Sequence, residues 1–259
     1  MRAVVRLTRL FAARIRVHGE MMGMIEAGLE CAGAIDSALA AFACLPVPLR
    51  PIHFSPGEKV GSEADRIEDQ KRFAAFVARS KSGFFLLGPR VTYSIRISEG
   101  RPLACDCFID VTPELAQQFL AHMSSAGPAF GFACVPGERE QRNRIRTQVG
   151  TNAVESWVGR DTQRYVPGFY WLTLLPDAMA KRHGIPLSAV EAVAREHIEL
   201  QGGQHLFRFY ERPEDWKETT AVTELCASLP GVFDVENVRH LASAAKSFIE
   251  LSSVLREWK

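Results

Sequence analysis

The most regular alternation in the chain lies between residues 91 and 97. Val91, Tyr93, Ile95 and Ile97 alternate with Thr92, Ser94 and Arg96, the period-two pattern of a strand with one buried face. Just before it, the apolar run Gly83–Leu87 reads as a buried strand, and Gly88-Pro89 between the two marks a hairpin turn. Residues 102–109 offer a third strand, and Ile52-His53-Phe54 a short stub. Helical spacing predicts a short apolar helix over 34–45, ended by Pro46, Pro48 and Pro51. An amphipathic helix is predicted over 65–79, with Ile67, Phe73, Phe76 and Val77 on one side. Thr112-Pro113-Glu114 is a helix start, with a hydroxyl at the cap, proline at the first helical position and an acid in the first turn.

Further along, 129–134 and 152–158 read as strands, and 167–175 as an aromatic-rich strand. Residues 176–183 form a short helix ended by Gly184, and Ser188 with Glu191 reads as a capping box opening the next. Residues 196–201 and 205–210 flank Gly202-Gly203 as a hairpin. A long C-terminal helix is expected from Asp234 through Trp258. The charge-dense run from Gly137 to Thr147, with Glu138, Arg139, Glu140, Arg142, Arg144 and Arg146, is expected to be an exposed helix or loop. Strands that arrive as hairpins between single or paired helices predict an α+β protein: mainly antiparallel sheet with flanking helices, two lobes sharing one body. The expected division is a basic extension over 1–20, then a single domain over 21–259, with possible lobes 21–148 and 149–259.

Composition changes this picture little. The 259 residues are 47% hydrophobic and 24% charged, which excludes collagen-like, coiled-coil and wholly disordered chains. No uncharged apolar run reaches 18 residues, so no membrane-spanning helix is expected. The cytoplasm is the default location, because acids interrupt the segment where a secretory signal would need its apolar core. The six cysteines fit no metal or redox spacing. Cys105 and Cys107 read as small buried hydrophobes on one face of a strand.

The net charge of +1 gives no support for nucleic-acid coating. It also hides an asymmetry. Residues 1–20 hold five arginines and one glutamate, leaving 26 basic and 29 acidic residues in the rest of the chain.

Candidate chemistry is sparse. Glycine-rich phosphate loops, the G-x-S-x-G elbow and H-E-x-x-H are all missing from the sequence, and the seven histidines are scattered. No cofactor or metal is therefore expected. An enzyme of unrecognised type would have Asp106 and Asp110 with a histidine as its acid–base set. A nucleic-acid adaptor would use the arginines of 139–146.

One segment stands apart. Glu155-Ser-Trp157-Val-Gly-Arg160-Asp161, followed by Arg164-Tyr165, gathers tryptophan, tyrosine, arginine and acids around a glycine turn. These are the residue types that anchor protein interfaces. The competing structural reading has this loop pinned over the core, with Trp171 inside it.

The run Val154–Asp161, then Tyr165–Thr173 with its Gly168-Phe-Tyr-Trp171-Leu-Thr173 stretch, then Pro176 and Lys181-Arg-His-Gly184, resembles bacterial immunity proteins of type VI secretion and polymorphic-toxin systems, those of the immunity-52 type among them. The specific part spans 150–184, within a looser likeness over 83–258. The resemblance implies a non-enzymatic cytoplasmic antitoxin that binds a cognate toxin or effector. Partners in that group include nucleases of the restriction-endonuclease fold. On this reading Glu155, Trp157, Arg160, Asp161, Arg164 and Tyr165 are the toxin-binding residues, with neither nucleic acid nor membrane as a direct partner.

Overall fold

The computed structural model describes residues 24–31, 35–57, 65–99, 101, 103–109 and 112–258. The basic segment 1–20 and Asp110 lie outside the described residues. The architecture is α+β: a nine-strand antiparallel sheet, a separate two-strand hairpin and, among the described residues, nine α-helices.

The central strand is β1 (Ile25–Cys31), which the periodicity reading did not anticipate. Ile25, Ala27, Leu29 and Cys31 are buried on one face, while Glu26, Gly28 and Glu30 point to the other. The glutamates keep to the alternation, but Ala27 and Gly28 at the centre are poor strand formers and weaken the signal. On one side β1 pairs with β5 (Leu103–Ile109), which continues through β4 (Val91–Arg96) and β3 (Gly83–Leu87) to the edge strand β2 (His53–Ser55). On the other side it pairs with β6 (Pro128–Cys134), followed by β9 (Leu172–Pro176), β11 (Gln204–Arg208) and β10 (Glu196–Leu200). One continuous sheet thus draws six strands from before residue 148 and three from after it.

Three helices cover one face: α1 (Ile35–Ala43), α2 (Gln70–Arg79) and α3 (Pro113–Met123). Tyr93 joins the layers there. Its ring lies 4.8 Å from Phe42 and 5.7 Å from Phe119, and its hydroxyl donates to the Leu49 carbonyl at 2.7 Å. Phe54 packs against Phe73 and Phe76 under α2. Cys105 and Cys107 are buried among these apolar groups, so burial pushes both thiols well up and leaves them as packing residues.

The charged run folds into α4 (Pro136–Asn143) and then β7 (Arg144–Val149), which pairs with β8 (Asn152–Trp157) as the separate hairpin. The aromatic strand begins later than expected. Residues 167–171 are irregular and only Leu172–Pro176 pairs as β9. The two following helices are α5 (Asp177–Arg182) and α6 (Leu187–Glu191). The capping box expected at Ser188 is not formed: α6 starts one residue earlier with Pro186 at its cap, so Ser188 is already helical. The β10–β11 turn uses Gly202 and Gly203 at φ +74° and +67°. Leu200 pairs with Gln204, so the loop has three residues, Gln201 to Gly203, and its two left-handed positions are both held by glycine, which adopts them without steric cost.

After α7 (Ala221–Ser228), the long C-terminal helix proves to be two, α8 (Val235–Ala244) and α9 (Phe248–Glu257). Ala245 adopts an extended backbone and Ser247 caps α9 by accepting from the Glu250 amide at 3.2 Å. The break folds α9 back so that both helices serve a second core: Ile145, Val158, Tyr165, Phe233, Val238, Leu251 and Leu255 beside the hairpin. No helix among the described residues is long and apolar enough to cross a membrane.

Candidate functional site

Helix α4 carries charge on both of its faces, and the two faces behave differently. Glu138, Arg139, Arg142 and Asn143 are 0–8% exposed, which corrects the expectation that the whole run is solvated. Buried charge is tolerated here because every group has a partner. Glu138 accepts from Arg142 Nε at 3.0 Å and from the Trp171 amide at 3.1 Å. Arg142 also donates to the Tyr210 hydroxyl at 2.8 Å. Arg139 donates to Asn143 Oδ1 at 2.7 Å and to the Tyr170 hydroxyl, and its guanidinium lies 4.2 Å above the Phe132 ring.

Asn143 in turn donates to the carbonyls of Val158 and Gly159, each at 3.2 Å, and to that of Pro167 at 3.4 Å. This network clamps both ends of the loop that leaves β8. Gly159 has φ +69°, and a side chain there would meet the Phe233 ring at 2.2 Å. Burial pushes the carboxyl of Glu138 up to about 7, opposed by Arg142.

The other face of α4 opens on solvent. Gly137, Glu140 and Gln141, spaced three and four apart, join Arg144, Arg146 and Arg239 of α8 around a shallow cavity of about 340 Å³. Glu140 bridges Arg144 and Arg146, the latter at 3.0 Å, while Glu155 faces the same two arginines from β8. Arg239 donates to Glu236 and to the Gln141 carbonyl. Arg144 also stacks over Trp157, 5.6 Å from the ring centre.

Of the six sequence-derived binding residues, Glu155 and Trp157 therefore meet at this basin and the other four do not. Arg160 is exposed, and Asp161 is half-buried near Arg101 at 4.0 Å. Arg164 donates to the Glu257 carbonyl, and Tyr165 is 5% exposed, its hydroxyl donating to the Trp258 carbonyl at 3.1 Å. Both tie the loop to the end of α9. The stretch that carries the resemblance is interior: Phe169, Tyr170 and Trp171 are at most 1% exposed. Trp171 is core, as the structural reading had it.

Asp106 lies opposite Gly28 in the sheet and pairs with Arg96 at 2.6 Å. Glu26, on the same face, is largely buried. Desolvation pushes its carboxyl up to about 7, against the pull of Arg139 at 4.0 Å. Sequence reasoning missed Glu26, Glu30 and the Arg239 contribution to the basin, because each depends on neighbours far along the chain.

It also missed a histidine pair. His197 Nε2 lies 2.9 Å from His205 Nδ1, with Glu191 beyond one end at 3.3 Å and Asp177 beyond the other at 2.9 Å. The hairpin register that sets Glu199 against His205 makes the two rings diagonal neighbours. No family model matches the chain, and no curated protein or solved structure proves similar to it.

Proposed function

We propose that this chain is a protein-binding module and, in its sharpest form, an immunity protein that neutralises a cognate secreted toxin in the cytoplasm without catalysis. The observation that supports this reading most is the basin beside the β7–β8 hairpin. Arg144, Arg146 and Glu155, with Trp157 under Arg144, stand on that hairpin, whose base is locked by the Asn143 clamp, and Glu140 of α4 and Arg239 of α8 complete the basin. A preformed surface binds without first having to order itself, so more of the contact energy remains as affinity. Alternating charges on such a surface steer encounter and reject wrong partners. The resemblance over residues 150–184 supplies the toxin as partner, and a nuclease is the chemistry it favours.

The test is co-expression with the product of the adjacent reading frame. Growth rescue and a stable purified complex are expected. Wild-type protein that neither rescues nor co-purifies removes the reading.

A second reading, an enzyme using Asp106, is favoured by one observation. Glu26 has its carboxyl near 7 close to the Asp106–Arg96 pair, the range a general acid–base group needs. On that reading Glu26 takes the place that Asp110 or a histidine would have held, and Glu26→Gln abolishes turnover in a substrate screen while leaving the fold intact.

A further inference from the structure

Four side chains from four elements form one polar line at the edge of the nine-strand sheet. Asp177 opens α5 and Glu191 closes α6, while His197 and His205 stand on β10 and β11. Nε2 of His205 lies 2.9 Å from Asp177 Oδ1, and its Nδ1 lies 2.9 Å from His197 Nε2. Nδ1 of His197 lies 3.3 Å from Glu191 Oε1. All four ring nitrogens are thus engaged. The His197 ring also stacks on Phe207, 4.6 Å away at an interplanar angle of 14°, and the Asp177 amide donates to the Gly203 carbonyl at 2.8 Å. Both rings are held in place, so the variable is their protons.

A neutral imidazole carries one N–H and one lone pair. Two neutral rings supply two protons for three contacts. One contact then sets a lone pair against a carboxylate, or leaves the facing nitrogens with no proton between them. Two imidazolium rings supply four protons, which drives two N–H groups together across 2.9 Å. Three protons satisfy every contact: one toward each carboxylate and one shared between the rings.

We propose that this pair is a pH latch, closed when it holds one proton more than two neutral rings and loosened by losing that proton or by gaining another. Closed, it joins the edge strand β10 and helix α6 to β11 and α5 through a single positive charge held between two carboxylates. The charge belongs to the pair rather than to either ring. The other groups around it leave that arrangement intact. Glu199 lies opposite His205 on the same face of the hairpin, and Leu175 of β9 flanks His205 on the other side. Among the described residues, no lysine or arginine pairs with Asp177 or Glu191, Lys181 one turn beyond Asp177 included. Glu196 and Arg208 pair with each other on the opposite face, and Arg195 pairs with Glu211. The latch is independent of the protein-binding reading.

The proton count gives the sign of the pH dependence. Well below the ordinary histidine range of about 6.5, the unfolded chain carries four protons on these rings against three in the fold, so stability rises with pH. Well above it the unfolded chain carries two against three, and stability falls with pH. The maximum lies where the unfolded rings hold three between them, at about pH 6.5. With the folded count fixed at three, the folding constant drops about threefold one pH unit to either side.

The experiment compares the full chain with the His197→Gln/His205→Gln double variant by chemical denaturation between about pH 5 and 8. Taking the ratio of the two folding constants removes the other titrating groups, Glu26 and Glu138 among them. That ratio is expected to peak near pH 6.5 and to fall about threefold by pH 5.5 and by pH 7.5. A ratio that moves in one direction only, or stays flat, overturns the proposal. A second measurement needs no folded variant: NMR of the wild-type chain with ¹⁵N-labelled histidine. The protonation of the four ring nitrogens should total three at both pH 5.5 and pH 7.5. A total that runs from near four to near two, as independent rings give, overturns the latch. Zinc ion added at equimolar concentration to the same sample should leave these resonances unchanged. Its binding between the two rings, with loss of the shared proton, makes the pair a metal site and overturns the latch as well.

Discussion

The two cores of this molecule are held together by opposite means. The large one, on the nine-strand sheet, is predominantly apolar and has Trp171, Tyr93, Phe119 and Phe207 among its largest fully buried side chains. The small one, between the hairpin and helices α8 and α9, gathers nine buried apolar residues. A polar seam fixes its place, with Glu138, Arg139, Arg142 and Asn143 bonded to Trp171, Tyr170, Tyr210 and the loop carbonyls. Apolar packing is non-directional and tolerates small adjustments. A buried hydrogen-bond network has one correct geometry and a high cost for any missing member. The functional consequence is orientation: the seam sets the angle at which the hairpin, and the basin on it, is presented.

Three substitutions would break or sharpen that contrast. Trp171→Ala has the largest expected effect, about 3–5 kcal/mol of lost stability from the cavity left in the large core. It also removes the indole donor to the Tyr210 carbonyl. Chemical denaturation should show the whole protein unfolding earlier in a single transition; a loss under 1 kcal/mol would mean the sheet does not depend on this residue.

Asn143→Ala comes next, at about 2–3 kcal/mol, because three loop carbonyls and the Arg139 donor lose their partner together. Its signature is local. Amide exchange should accelerate in the hairpin and in residues 158–167 while the sheet amides keep their protection. Uniform acceleration would show that the seam belongs to the large core after all.

The smallest effect concerns pH. The carboxyl of Glu26 sits near 7 in the fold, above the range of about 4.3 expected in the unfolded chain. The folded state therefore holds the proton that the unfolded state has released, and stability falls as pH rises from about 4.5 to 7. Glu26→Gln should remove roughly 1–2 kcal/mol of that slope between pH 5 and 8, read from denaturation midpoints. An unchanged slope would assign the pH dependence to Glu138, whose carboxyl is raised in the same direction.

Legibility followed the type of core. Strands β3, β4, β5, β6 and β8, helix α3 with its proline start, and the glycine turn of β10–β11 are all written locally, in alternation or in turn residues. Strand β1 was not, because Ala27 and Gly28 at its centre are poor strand formers and its place in the middle of the sheet comes from pairing with β5 and β6, far along the chain. The C-terminal helix looked continuous because Ala245-Lys246-Ser247 contains no proline or glycine. Only the gain from packing both halves on one hairpin makes the break worthwhile. Within the candidate site, Glu155 and Trp157 were legible as a cluster of interface-type residues. Arg239 was not, since it reaches the basin from α8.

The sequence by itself determined the α+β class, most of the strands, the interior position of Trp171 and the buried character of the sheet cysteines. Those depend on short-range periodicity and on which side chains avoid water. Tertiary structure alone decided which charges are buried. The run from Glu138 to Arg146 splits between an internal clamp and an open basin because opposite faces of α4 look onto the protein interior and onto solvent, and Arg144 and Arg146 continue the solvent side on β7. The same composition therefore becomes buried scaffold on one side and an open, charged surface on the other.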